Sequence, residues 1–144
     1  LLAMKKLLLL LLVIPNLVMG EPYSTCTKLA KMFNTQKGKD FFLKSTNKKL
    51  GLKQITCEKN PTKIIAEYII LDERFKNLSS DEERQFKFIA DKTFTPFFCK
   101  SFLNTQMPTE SIKEVLKSYF EVRLFKENGD VFTENTVSFR DCPF

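Results

Sequence analysis

The chain of 144 residues carries 23 basic and 17 acidic side chains, four cysteines, and neither histidine nor tryptophan. Without an imidazole there is no Ser-His-Asp or Cys-His nucleophile, no imidazole general base, no histidine metal ligand and no histidine pH switch. A composition 43% hydrophobic and 28% charged excludes a disordered or fibrous chain, and the length suits one domain.

Met4-Lys5-Lys6, the apolar run Leu7 to Ile14, Pro15-Asn16 and the small ending Val18-Met19-Gly20 have the three-part layout of a secretory signal peptide. Residues 1–20 are therefore read as a leader cleaved after Gly20. The run is shorter than the roughly 17–25 residues that a bilayer-spanning helix needs, so no membrane span is expected once it is removed. Residues 21–144 are then a single domain of net charge +4, expected to be periplasmic or secreted and monomeric.

Ser24 or Thr25 is placed to cap a helix whose apolar positions Cys26, Leu29, Ala30 and Phe33 follow helical spacing, with an end near Gly38. The segment 39–53 suits a short strand and turn as well as a second helix. From Lys53 the pattern is extended through Ile55 and Cys57 to a turn at Asn60-Pro61. The β-branched run Ile64 to Leu71, apolar on both faces, then predicts a central strand. Leu78-Ser79-Ser80-Asp81-Glu82-Glu83 is a capping signature, a serine N-cap with an acid three residues on, for a helix with Phe86, Ile89, Ala90, Thr93, Phe94 and Phe97 on one face, kinked or ended by Pro96. Thr109 predicts a shorter helix carrying Ile112, Val115 and Leu116. Phe120, Val122 and Leu124 form one face of a strand, and Val131, Thr133, Val137 and Phe139 lie along its return. The Asn128-Gly129 pair between them is a hairpin signal. The expected fold is α+β: an antiparallel sheet with a C-terminal hairpin, packed against two to three helices.

Cys26, Cys57, Cys99 and Cys142, an even count in an exported chain, read as disulfides. Three connectivities are open to them; Cys26–Cys57 with Cys99–Cys142, each bracketing one half of the chain, is the one favoured. Gaps of tens of residues argue against a four-cysteine metal site, and no C-x-x-C motif is present. Neither a metal nor a cofactor is expected.

The match of Ser45-Thr46-Asn47-Lys48 to S-x-x-K lacks the companion motifs of the serine enzymes that use it, and Asp81, Glu82 and Glu83 are explained by helix capping. Asn77-Leu78-Ser79 is formally a glycosylation acceptor, relevant only where the producing cell glycosylates at such sites. The charge layout is more informative. Between Lys28 and Lys63 there are ten lysines (28, 31, 37, 39, 44, 48, 49, 53, 59 and 63) against Asp40 and Glu58, a local charge of +8 over an acidic remainder. Such a field suits an acidic protein or an anionic envelope component. Nucleic acid is disfavoured, because the segment holds no arginine. Lys28, Lys31, Lys37, Lys39, Lys44, Lys48, Lys49 and Lys53 are the surface assigned to an anionic partner.

The strand Ala66-Glu67-Tyr68-Ile69-Ile70-Leu71, the acid-capped helix leading into Cys99, Phe120-Glu121-Val122-Arg123-Leu124-Phe125 with its Asn128-Gly129-Asp130 turn, and the closing Asp141-Cys142 carry a resemblance. Over residues 64–142 the chain resembles the quorum-sensing-regulated virulence factor family, small exported proteins of Gram-negative bacteria. That resemblance implies a periplasmic α+β fold with no established enzymatic activity. The expected role is accordingly a non-enzymatic one, virulence- or envelope-associated and exerted through surface contacts. A small hydrolase or hydrolase inhibitor, using carboxylates or Ser45 and Lys48, is the alternative.

Overall fold

The computed structural model describes residues 22–103 and 115–142. The expected leader and the start of the helix at Thr109 lie outside them; Val115 and Leu116 are helical. The described elements are α1 (Pro22–Phe33), α2 (Gln36–Ser45), β1 (Leu50–Glu58), β2 (Lys63–Ile70), α3 (Ser80–Leu103), β3 (Tyr119–Phe125) and β4 (Val131–Ser138).

The single helix expected to reach Gly38 is instead two. Asn34 and Thr35 break it, and the Thr35 hydroxyl accepts from the Gly38 N–H at 3.0 Å, so Thr35 is an N-cap for α2. Ser24 and Thr25 lie inside α1 rather than capping it. The side-chain-free Gly38 makes the sharp link possible. A Cβ at that position would lie 2.3 Å from the Met32 carbonyl oxygen and 2.6 Å from the Phe33 Cα, so α2 can start against the end of α1 only with glycine there.

At Ser79 the expected capping box is present: the Ser79 hydroxyl accepts from the Glu82 N–H, and the Glu82 carboxylate accepts from the Ser79 N–H, both at 3.2 Å. Pro96, expected to kink or end this helix, is carried inside α3, which continues to Leu103. Pro96 and Lys92, four residues earlier, are both exposed, so the missing backbone hydrogen bond falls on the side of the helix where water can replace it.

The fold is α+β, with a correction to the sheet. Its order is β1-β2-β3-β4, with β1/β2 and β3/β4 antiparallel but β2/β3 parallel, so the sheet is mixed. The parallel pairing follows from the connection. A helical crossover returns the chain to the end of the sheet where β2 began, and Tyr119 N donates to Thr62 O at 2.9 Å as β3 starts beside Lys63.

Alternation gives the sheet one apolar face. Ile64, Ala66, Tyr68 and Ile70 of β2 lie beside Phe120, Val122 and Leu124 of β3, with Leu50, Leu52 and Ile55 from β1 and Phe132 and Val137 from β4. Two bulges adjust the phase. One between Leu52 and Gln54 leaves Lys53 unpaired and lets Leu52 and Ile55 face the same core. The other, opposite Leu124 and Phe125, turns Phe132 inward at 4% exposure and leaves Val131 47% exposed, reversing the phase expected for the start of β4. Onto this face α1 contributes Cys26 and Leu29, and α3 contributes Phe94, Phe98 and Cys99. The Phe42 ring of α2 stacks on Tyr68 at 5.3 Å, and Phe98 stacks on Phe120 at 5.1 Å.

Disulfides join Cys26 to Cys57 and Cys99 to Cys142, the favoured connectivity, and tie α1 to β1 and α3 to the end of the chain. In the chain-entropy account, loops of 31 and 43 residues stabilise the fold by about 3–4 kcal/mol each.

Candidate anionic-partner surface

The lysine-rich segment folds as α1, α2 and β1. On α1 the buried side holds Cys26 and Leu29, which leaves Lys28 and Lys31 in solvent. On α2 the packed side holds Gly38 and Thr46's approach to β1, so Lys37 and Lys44 are exposed while Lys39 is half-buried. Lys48 and Lys49 continue the exposed set through the turn into β1, where Asn47 and Lys48 take the left-handed backbone with φ 53° and 60°. Lys28, Lys31, Lys37, Lys44, Lys48 and Lys49 are therefore exposed on α1, α2 and the turn that leads into β1.

Three of the ten sequence-selected lysines have other employment. Lys53 sits in the β1 bulge with its Nζ 4.1 Å from the Phe125 ring centroid, so it lies across the other face of the sheet. Lys59 stands 4.3 Å over the Tyr23 ring. Lys63 pairs with Glu121 at 3.2 Å.

The division of ion pairs separates the two parts of the molecule. Among the described residues every salt-bridged cation lies at Lys63 or later: Lys63, Arg74, Lys76, Arg84, Lys87, Arg123 and Lys126. None of the nine lysines from Lys28 to Lys59 is in an ion pair with a described residue. Asp40 and Glu58 in the same segment, and Asp72 beside Lys49, offset only part of this charge, and a surface with such an excess attracts anionic partners over a distance set by salt.

The sheet face opposite the core carries charges that sequence reasoning did not single out. Glu67, Glu121, Arg123 and Glu134 meet there: Arg123 Nη2 is 2.6 Å from Glu121 Oε2, with Glu134 at 3.8 Å and Glu67 at 3.9 Å from other guanidinium nitrogens. Gln54 donates to Glu67 at 2.5 Å, and Thr136 to Glu121 at 2.9 Å. Burial alone would raise the Glu121 carboxyl; hydrogen bonds from Thr136 and Lys63, with the charges of Arg123 and Lys63, outweigh it and hold the group below the usual glutamate range. A general acid needs the opposite shift. The network is a cross-strand clamp. Its signal in the sequence was a glutamate or arginine at alternate positions of otherwise apolar strands.

The remaining motifs take structural places. The Ser45 hydroxyl donates to Phe41 O at 2.8 Å, in the last turn of α2, and Lys48 lies beyond the helix end without a hydrogen bond to it. Glu83 pairs with Lys126 at 2.9 Å and Lys87 at 3.5 Å, while Asp81 pairs with Arg84. Among the described residues no group of three or more Cys, Asp or Glu is placed to hold a metal, and no helix is long and apolar enough to cross a membrane.

Fold and surface together define a small α+β domain with two disulfides and a segregated lysine face. Comparison of the chain with protein-family models, curated proteins and solved structures gives no match.

Proposed function

We propose that this is a non-enzymatic exported protein, periplasmic or secreted, that acts by docking its lysine face on an anionic partner, in the virulence- or envelope-associated setting implied by the family resemblance. The observation that carries the reading is the absence, among the described residues, of ion pairs for Lys28 through Lys59 beside a second part whose cations are largely paired. Lysines kept only for solubility have no need to be segregated from acids. Two disulfides support an oxidising compartment.

The test is binding of residues 21–144 to an immobilised polyanion at increasing salt. The wild-type domain should be retained at low salt and released as ionic strength rises. The triple variant Lys44→Glu, Lys48→Glu, Lys49→Glu should bind at least about tenfold more weakly, since each lysine near an anionic surface contributes on the order of 1 kcal/mol. All three side chains are exposed, so the fold should be retained. Equal retention of variant and wild type would remove the proposal.

A further inference from the structure

Two large apolar side chains stand in the lysine face where an amphipathic helix should be polar. Met32 of α1 is 60% exposed and Phe41 of α2 is 64% exposed. Lysines stand at the spacing of helical neighbours: Lys28 four residues before Met32, and Lys37 four before and Lys44 three after Phe41. The two sets lie on consecutive helices joined by a short link. Only Asn34 and Thr35 separate the helices, Gly38 lies against the Met32 carbonyl, and Phe41 is one turn beyond Gly38.

The hairpin is also fixed to the body of the domain. The Cys26–Cys57 disulfide ties α1 to β1, and the Asn34 side chain makes two hydrogen bonds with Ile55, at 2.8 and 2.9 Å. Its exposed residues are thus presented on a rigid support, so little ordering is required for binding.

We propose that the α1–α2 hairpin is an interfacial anchor for an anionic phospholipid bilayer, with Met32 and Phe41 entering the headgroup–acyl boundary and Lys28, Lys31, Lys37 and Lys44 meeting the headgroups. This deepens the reading of the lysine face as an anionic-partner surface, and rests on it. Charge complementarity selects the class of partner, and the apolar pair selects the bilayer within it. A lipid surface rewards lysines on flexible stems around a shallow apolar wedge, and needs none of the bidentate arginine geometry by which phosphates of nucleic acids or carboxylates of proteins are read. There is no arginine between residues 22 and 62.

Residues 21–144 are mixed with vesicles of phosphatidylglycerol and phosphatidylethanolamine, and separately with phosphatidylcholine alone; bound protein is sedimented, and a polyanion column run is made in parallel. Binding to the anionic vesicles only, weakened by salt, is expected. The double variant Met32→Ala, Phe41→Ala should bind those vesicles about tenfold more weakly, through the apolar area it no longer buries, yet elute from the polyanion as the wild type does. A Phe41→Trp variant should shift its emission to the blue on anionic vesicles. Polyanion binding without vesicle binding overturns the anchor and leaves the broader reading standing, as does a double variant with undiminished vesicle affinity or a wild type that prefers an acidic protein or a nucleic acid. Loss of binding to both vesicles and polyanion overturns both.

Discussion

Tyr68 shows how one residue can be right for its ring and costly for its hydroxyl. It is fully buried at the centre of β2, its ring stacked on Phe42 at 5.3 Å, and its hydroxyl has no hydrogen-bond partner. Burial pushes the phenol far above its ordinary value, so it remains neutral at any pH the fold tolerates. A buried hydroxyl without a partner gives up its hydration for nothing, at a cost of about 1–3 kcal/mol. Tyr68→Phe keeps the ring and its stack and removes the unpaired group. The variant should be more stable than the wild type by about 1 kcal/mol, read as a higher urea midpoint with an unchanged slope. A lower midpoint would mean that the hydroxyl is satisfied in solution.

At the scale of elements, the edges of the sheet need the most explanation. The outer edge of β1 would be open to pairing with another chain, and side chains close it. Asn34 Nδ2 donates to Ile55 O at 2.9 Å and its Oδ1 accepts from Ile55 N at 2.8 Å, which imitates a residue of a neighbouring strand. Thr46 repeats the device at Leu50, accepting from its N–H at 3.2 Å and donating to its carbonyl at 2.8 Å. Asn34→Ala removes both bonds at Ile55 and leaves two buried backbone groups unpaired, so it should cost about 2–3 kcal/mol. The local signature is hydrogen exchange. The Ile55 amide should exchange much faster in the variant while the amides of central β2 and β3 change only with global stability; uniform acceleration would contradict a specific clamp. Nothing in the sequence points from Asn34 to Ile55. In a helical reading Asn34 is a polar surface position, and that reading carried the first helix on to Gly38. What marks the break is Thr35 with Gly38 three residues later, a cap whose meaning depends on a close approach of two helices that periodicity does not report.

For the whole molecule, local signals were readable and those depending on a distant partner were not. The β-branched run Ile64 to Leu71 and the Asn128-Gly129 turn, where Gly129 takes φ 96°, state their structure within a few residues. The parallel meeting of β2 with β3, the inward turn of Phe132 and the ion network around Arg123 depend on residues more than fifty positions apart or on a bulge. The lysine segment was legible as a count, but Lys53 left the assigned surface and Lys63 left the free lysines once the sheet placed Phe125 and Glu121 within their reach. The same separation of charge sets the pH dependence of stability. The chain has no histidine, so no side chain of ordinary pKa titrates between about pH 5 and 8. Two buried carboxylates titrate below their ordinary range. Asp72 is lowered first by its hydrogen bonds from the Arg74 side chain, against the opposing effect of burial, and Glu121 is lowered by Thr136, Lys63 and Arg123, which outweigh its burial. A carboxylate with a depressed folded pKa holds its proton less tightly folded than unfolded, so its contribution is complete above the ordinary carboxylate range and is lost as pH falls through the folded value. Stability should therefore be flat from about pH 6 to 8 and decline below about pH 4. In Glu121→Gln the glutamine cannot titrate, and Lys63 and Arg123 lose a charged partner. That variant should be less stable at neutral pH and fall less steeply in acid, its curve approaching that of the wild type at low pH. Parallel curves in urea titrations across this range would show that Glu121 titrates alike in the folded and unfolded chains.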